Sequence, residues 1–273
     1  MSTGAAILDA PAVRHPYRLT RPFRDSLSAG SRNLIAYWRV PSLLVFSTIQ
    51  PIIFVLMFRY VFGGVVGLSG LINVPYVDYL MPGIFVQTTV FGAIGTAIGL
   101  ATDLQSGLLE RFRSLPMSRS AVLAGRTLAD LVRNVFVAAL MVGVGYAVGF
   151  RADVGALGLL AAMLIVLLFG YALSWVFASV GLMTGNPETA QAAAFPVMAP
   201  LVFASSAFVP VSVMPGWLQA FAAHQPVSVT VAAVRALCIG GPTATNVLEA
   251  IAWSVGILAV FGPLAVLRYR RSA

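Results

Sequence analysis

Six stretches of almost unbroken apolar residues, separated by short clusters of arginine, proline and glycine, set the rhythm of this chain. They run over about 42–62, 79–101, 122–149, 155–183, 191–212 and 248–267. Each is long enough to supply the roughly 20 apolar residues that a helix needs to cross a bilayer. The pattern predicts an all-α integral membrane fold with six transmembrane helices, and no self-similar period splits them into more than one domain.

The interruptions carry their own signals. Residues 1–22, with Pro11, Pro16 and Pro22 among polar residues, predict a flexible tail. Over 23–39, Phe23, Leu27, Leu34, Ile35 and Trp38 fall at helical spacing with arginines between them. That pattern fits an amphipathic helix lying on the membrane surface, and Gly30 leaves a loosely ordered basic leader as the alternative. Pro41 opens the 40–273 membrane domain and Pro51 predicts a kink in the first span. A short Gly-rich link over 63–78 leaves no room for an external domain. Between 213 and 247, Pro226 and the stop Gly240-Gly241-Pro242 cut an apolar segment into pieces too short to cross, predicting two short re-entrant helices between spans five and six.

Composition agrees: 59% of residues are hydrophobic and 10% charged, against about 25% charged in a soluble domain. The polar start lacks the charged, apolar and small-residue sequence of a signal peptide, and Ser2 stands where myristoylation needs glycine. One cysteine, Cys238, excludes an intrachain disulfide and a CxxC pair. The net charge of +8 comes from arginines placed beside the spans, which suits topology and anionic lipid rather than nucleic acid. Arg14, Arg18, Arg21, Arg24, Arg32 and Arg39 precede the first span, Arg111, Arg113, Arg119 and Arg126 follow the second, and Arg268, Arg270 and Arg271 end the chain. With six spans these share one side, which the positive-inside rule makes the cytoplasm, with both termini there.

Some chemistry is excluded. Lysine is absent, so there is no P-loop for ATP. His15 and His224 fall on opposite sides of the expected membrane without HExxH spacing, and no paired-carboxylate motif suits Mg²⁺, so no metal site is expected and an enzyme is disfavoured. Within the spans, Arg126, Asp130 and Arg133 stand four and three residues apart on one face, where they are expected to pair along the third helix near its cytoplasmic end. Arg59, near the outer end of span one, is placed to snorkel. The membrane centre is then left without a titratable relay, which counts against a proton-coupled secondary transporter.

The stretch LLERFRSLPMSR, 108–119, is the polar exception. Leu108, Leu109, Phe112 and Leu115 recur at helical spacing while Glu110 and Arg113 share another face. Pro116 ends the helix and Ser118 can cap the next one. Physics alone leaves two readings open, a solvated turn that enforces topology or a short cytoplasmic helix offering a ridge to a partner.

ERFRSLP, with Glu110, Arg111, Phe112, Arg113, Leu115 and Pro116, resembles the ExxR-x-L-P signature of ABC-2 type transporter permeases. SSAFVPVSVMPGWLQAFAAHQPVSVTVAAVRALCIGG, 205–241, is similar to the end of the fifth span and the re-entrant helices of the daunorubicin/doxorubicin-resistance-type branch. His224, Gln225 and Ser228 depart from that branch's pattern, so no role is carried to them. The resemblance covers nearly the whole chain from about Phe23.

It implies the permease subunit of an ATP-binding-cassette exporter in a bacterial plasma membrane. The helix around Glu110 and Arg113 would couple to a separate cytoplasmic ATPase, two copies of which hold the ATP and Mg²⁺, so this chain needs no cofactor. A second permease copy, by default a homodimer, would complete the path. Gln50, Gln87, Thr88, Thr89, Ser205 and Ser206 are the polar candidates along it. The cargo implied is amphipathic or hydrophobic and drug-like; a lipid or glycolipid cargo is the alternative, and an ATP-independent secondary transporter a more distant one.

Overall fold

The computed structural model describes residues 41–64, 74–107 and 119–271, and every regular element among them is helical. In chain order these are α1 (Pro41–Met57), which widens into a π-helical turn at Phe58–Phe62, α2 (Tyr76–Gln105), α3 (Arg119–Ala147), α4 (Gly155–Thr184) and α5 (Pro187–Phe203). A 3₁₀ turn at Val211–Val213 precedes α6 (Gly216–His224), α7 (Pro226–Ile239) and α8 (Thr243–Arg271). The tail over 1–22, the amphipathic segment over 23–39, most of the link after α1, and the whole of Glu110, Arg111, Phe112, Arg113, Leu115 and Pro116 lie outside the described residues.

Among the described residues, four helices are long and apolar enough to cross a membrane: α2, α3 over Gly125–Ala147, α4, and α8 over Thr243–Tyr269. A fifth span exists if α6 and α7, bent by 68° at Gln225, count as one. The first and fifth apolar runs yield shorter helices. The fifth stops at Phe203, where the apolar run itself reaches 212. Ser205 turns its hydroxyl back to the Val202 carbonyl (2.6 Å) and accepts the Ala207 N–H (3.2 Å), which gives the backbone a local alternative to continuing the helix. At 17 residues α5 measures about 25 Å, short of a hydrocarbon core of about 30 Å.

α2 is the pillar. Every residue from Tyr76 to Val90 is buried, as expected of a helix that is apolar on all sides and packed on all sides. α4, α5, α7, α3 and α1 all pack on it, and α8 closes the bundle against α4 and α7. Close approach needs small residues: a side chain at Gly83 would overlap the Ala207 backbone, and one at Gly181 the Ala97 backbone. Packing of this kind replaces the hydrophobic drive that lipid removes.

At one end of the bundle Leu100, Leu123, Ala178, Leu182 and Tyr269 form a separate apolar cluster. There α4 hands over to α5 in a two-residue turn. Gly185 takes the left-handed conformation (φ 63°), Asn186 accepts the Glu188 and Thr189 N–H groups, and Pro187 opens the helix where a missing N–H costs nothing. At the opposite end the Phe58 and Phe208 rings stack at 4.4 Å, and the Asp78 carboxylate accepts the Arg151 N–H at 2.8 Å.

Candidate functional site

A cavity of about 380 Å³ opens between α1, α2, α3 and α5. Gln50 and Phe54 come from α1, Gln87, Thr88, Phe91 and Ile94 from α2, Arg133, Asn134 and Val137 from α3, and Gln191 and Phe195 from α5. Its polar groups lie beside aromatic and aliphatic walls, the mixed lining of small-molecule sites of 300–1,000 Å³. Of the polar residues expected along a path, Gln50, Gln87 and Thr88 meet here. Thr88 spends its hydroxyl on the Ile84 carbonyl (2.7 Å), whereas Gln87, 3% exposed, keeps its Oε1 buried without a hydrogen-bond partner.

The other expected path residues are elsewhere. Thr89 bonds the Val86 carbonyl (2.8 Å) and faces α4 at Gly170. Ser205 and Ser206 belong to a buried loop that is stitched to its neighbours. Ser206 donates its N–H to Ser228 Oγ (3.1 Å), its carbonyl accepts from Tyr79 (3.2 Å) and Arg235 (2.9 Å), and the Arg235 guanidinium lies 3.6 Å over the Tyr79 ring. Gln225, at the bend between α6 and α7, donates to the Leu201 and Ala204 carbonyls (2.8 and 3.0 Å) and so ties off the end of α5. Sequence reading missed this cluster. Its signal was Arg235, a cation inside an apolar 14-residue helix that must find partners to be tolerated there.

The charges of α3 reach across to α2. Arg126 pairs with Asp103 at 2.8 Å, Asp130 accepts from Thr96 at 2.6 Å, and Arg133 donates to the Gly92 carbonyl at 2.6 Å. The spacing along α3 suggested pairing within that helix; the hydrogen bonds just named run to partners that α2 supplies. Gly92, Gly95 and Gly99 make room for them. A side chain at Gly99 would overlap the Arg126 guanidinium, and one at Gly95 would come 2.8 Å from Arg133 Nη1. Arg133 also sits midway along α3 and lines the cavity, deeper than the helix end where the sequence placed it. The polar seam therefore runs from the cavity to the Asp103 end of α2.

That end matters because the segment with Glu110 and Arg113 is bracketed by described residues, the last turn of α2 at Gln105 and the first of α3 at Arg119. The two helices that bracket it are joined by Arg126 and Asp103.

Comparison with known proteins supplies the family. The sequence model of the ABC-2 type transporter family matches residues 27–239. The chain is 38% identical over 239 residues to the daunorubicin resistance ABC transporter permease protein DrrB1 of Streptomyces coeruleorubidus, covering 88% of this chain and 83% of that protein. It is 32% identical over 268 residues to the doxorubicin resistance ABC transporter permease protein DrrB of Mycobacterium tuberculosis, covering 93% and 90%.

Proposed function

The chain belongs to the ABC-2 type transporter family, and from that premise we propose that it is the membrane subunit of an ATP-driven exporter of amphipathic, drug-like compounds. The observation that carries the cargo role is the cavity: it lies between helices at mid-bundle, joins four amides to aromatic walls, and is lined by Arg133 from the seam that leads to the α2–α3 link. Relatives named for daunorubicin and doxorubicin resistance support the cargo class.

In this proposal α1 and α5 join the four long helices to make six spans, the bent α6–α7 pair is re-entrant, and the membrane domain covers 40–273. The end with Asp103, Arg126 and Tyr269 faces the cytoplasm, because the flanking arginines concentrate there. Both termini are then cytoplasmic, in a bacterial plasma membrane. Two copies of a separate ATPase bind ATP and Mg²⁺ and dock on the helix around Glu110 and Arg113. A second permease copy completes the path.

Glu110→Ala and Arg113→Ala test the coupling. In inverted vesicles carrying the permease and its ATPase, both variants should insert at normal levels and hydrolyse ATP while drug accumulation falls at least about tenfold, the scale of a lost charge-assisted contact. Full transport in both would reject the docking role.

A further inference from the structure

Of the cavity's polar side chains, Gln50 and Gln191 are exposed, and the buried ones are nearly all paired. Thr88 is spent on its own helix, Arg133 donates to the Gly92 carbonyl, and Asn134 Oδ1 accepts from Arg133 at 3.4 Å. Gln87 stands apart among these buried groups, its Oε1 without a hydrogen-bond partner among the described residues. Buried acceptors in folded proteins are satisfied with few exceptions, and an exception inside a cavity marks a place where something else supplies the donor. The terminal amide torsion of glutamine is broad, so the amide of this cavity-lining residue can reorient to meet a donor. Around it stand Phe54 and Phe91, ring centroids 6.4 Å apart, with Phe195 across on α5. Among the described residues, the lining holds one guanidinium, Arg133, and no carboxylate to receive a fixed cation.

Resting on the cargo role given to this cavity, we propose that Gln87 is its specificity-determining residue. Its Oε1 accepts a hydrogen bond from an uncharged donor on the cargo, a hydroxyl or amide N–H, while an aromatic body packs against Phe54, Phe91 and Phe195. The transported class is thus hydroxylated or amide-bearing aromatic amphipaths. An aromatic molecule of equal size without the donor leaves Gln87 unsatisfied and is discriminated against for that reason.

Three photoactivatable probes test this on the full permease–ATPase complex in lipid nanodiscs: a polycyclic aromatic alcohol, its methyl ether and its trimethylammonium analogue, each with the same diazirine. Peptide mass spectrometry reads the labelled residues and the half-saturating concentration. The alcohol should label α1, α2 and α5 at a concentration about tenfold lower than either analogue, the reach of one hydrogen bond. In Gln87→Leu the preference over the ether should vanish while labelling by the ether persists. The wild-type comparison needs no variant, so a poorly folding Gln87→Leu leaves the test intact. Equal half-saturation of alcohol and ether in the wild type, or a preference that survives Gln87→Leu, overturns the donor role although the cavity is occupied. Equal labelling by the ammonium probe overturns the restriction to uncharged donors. Labelling confined to other helices overturns the cargo role of the cavity itself.

Discussion

The Arg126 guanidinium meets the Asp103 carboxylate at 2.8 Å, joining the last turns of α2 to the beginning of α3. Both side chains are mostly shielded, at 16% and 18% exposure, so the pair is screened less than a surface bridge yet is not fully desolvated. With the Thr96–Asp130 and Arg133–Gly92 bonds, it ties together the two helices that flank the segment bearing Glu110 and Arg113.

A double-mutant cycle of Arg126→Gln and Asp103→Asn should therefore give a coupling energy of about 1–2 kcal/mol in the unfolding of purified protein. Each single variant should also lower export more than it lowers ATP hydrolysis. Strict additivity would show that the bridge carries no energy of its own.

Gly99→Leu should be far more damaging than its position in a span suggests, since the side chain would occupy the space of the Arg126 guanidinium. Melting temperature and monodisperse yield should both fall. Gly143→Ala is the matched control: nothing lies within 4 Å of a Cβ there, and removing glycine from a helix interior should be neutral or stabilise by about 0.5–1 kcal/mol. Equal losses at the two sites would argue against a steric trough.

Arg235→Ala should free the loop over 204–210. The variant loses three hydrogen bonds, two to the Tyr79 carbonyl and one to that of Ser206, together with the ring contact at 3.6 Å. Hydrogen exchange in that loop should rise by at least about tenfold, and Arg235→Lys should not restore protection, because an ammonium cannot reproduce the planar fork. Unchanged exchange in both variants would mean that Gln225, Ser228 and the Tyr76 and Tyr79 hydroxyls hold the loop without Arg235.

Cys238 is fully buried, so a water-soluble maleimide should leave native protein unlabelled and react only after unfolding. In a Cys238→Ser background, Gln50→Cys should label readily, since Gln50 is exposed and lines the cavity. An aromatic alcohol at saturating concentration should slow that labelling; an unaltered rate would place the molecule outside the cavity.

The long helices were legible because their apolar runs match bilayer thickness, and α2, α4 and α8 extend only a few residues beyond them. The end of α5 was not, since Ser205 stops that helix through a hydrogen bond that composition does not encode. Gln87 could be picked out as an amide in an apolar run. Its isolation depends on the bonds that Thr88, Arg133 and Asn134 make, and those appear only after folding. Arg126 and Arg133 show the same limit from another side. Spacing along one helix is written in the sequence, whereas the antiparallel neighbour that brings Asp103 and Gly92 within reach is not.

The burial of α2 from Tyr76 to Val90 also constrains biogenesis. The helix is made second, yet α4, α5 and α7, which wall it in, are synthesised after it. Until they arrive, Gln87 and Thr88, well inside the helix, face lipid or whatever shields them, where polar groups are costly. Nascent chains that end before α7 should thus be held by the insertion machinery or degraded. The docking of α7, which brings Arg235 to the Tyr79 carbonyl, is the step after which nascent chains should become resistant to degradation.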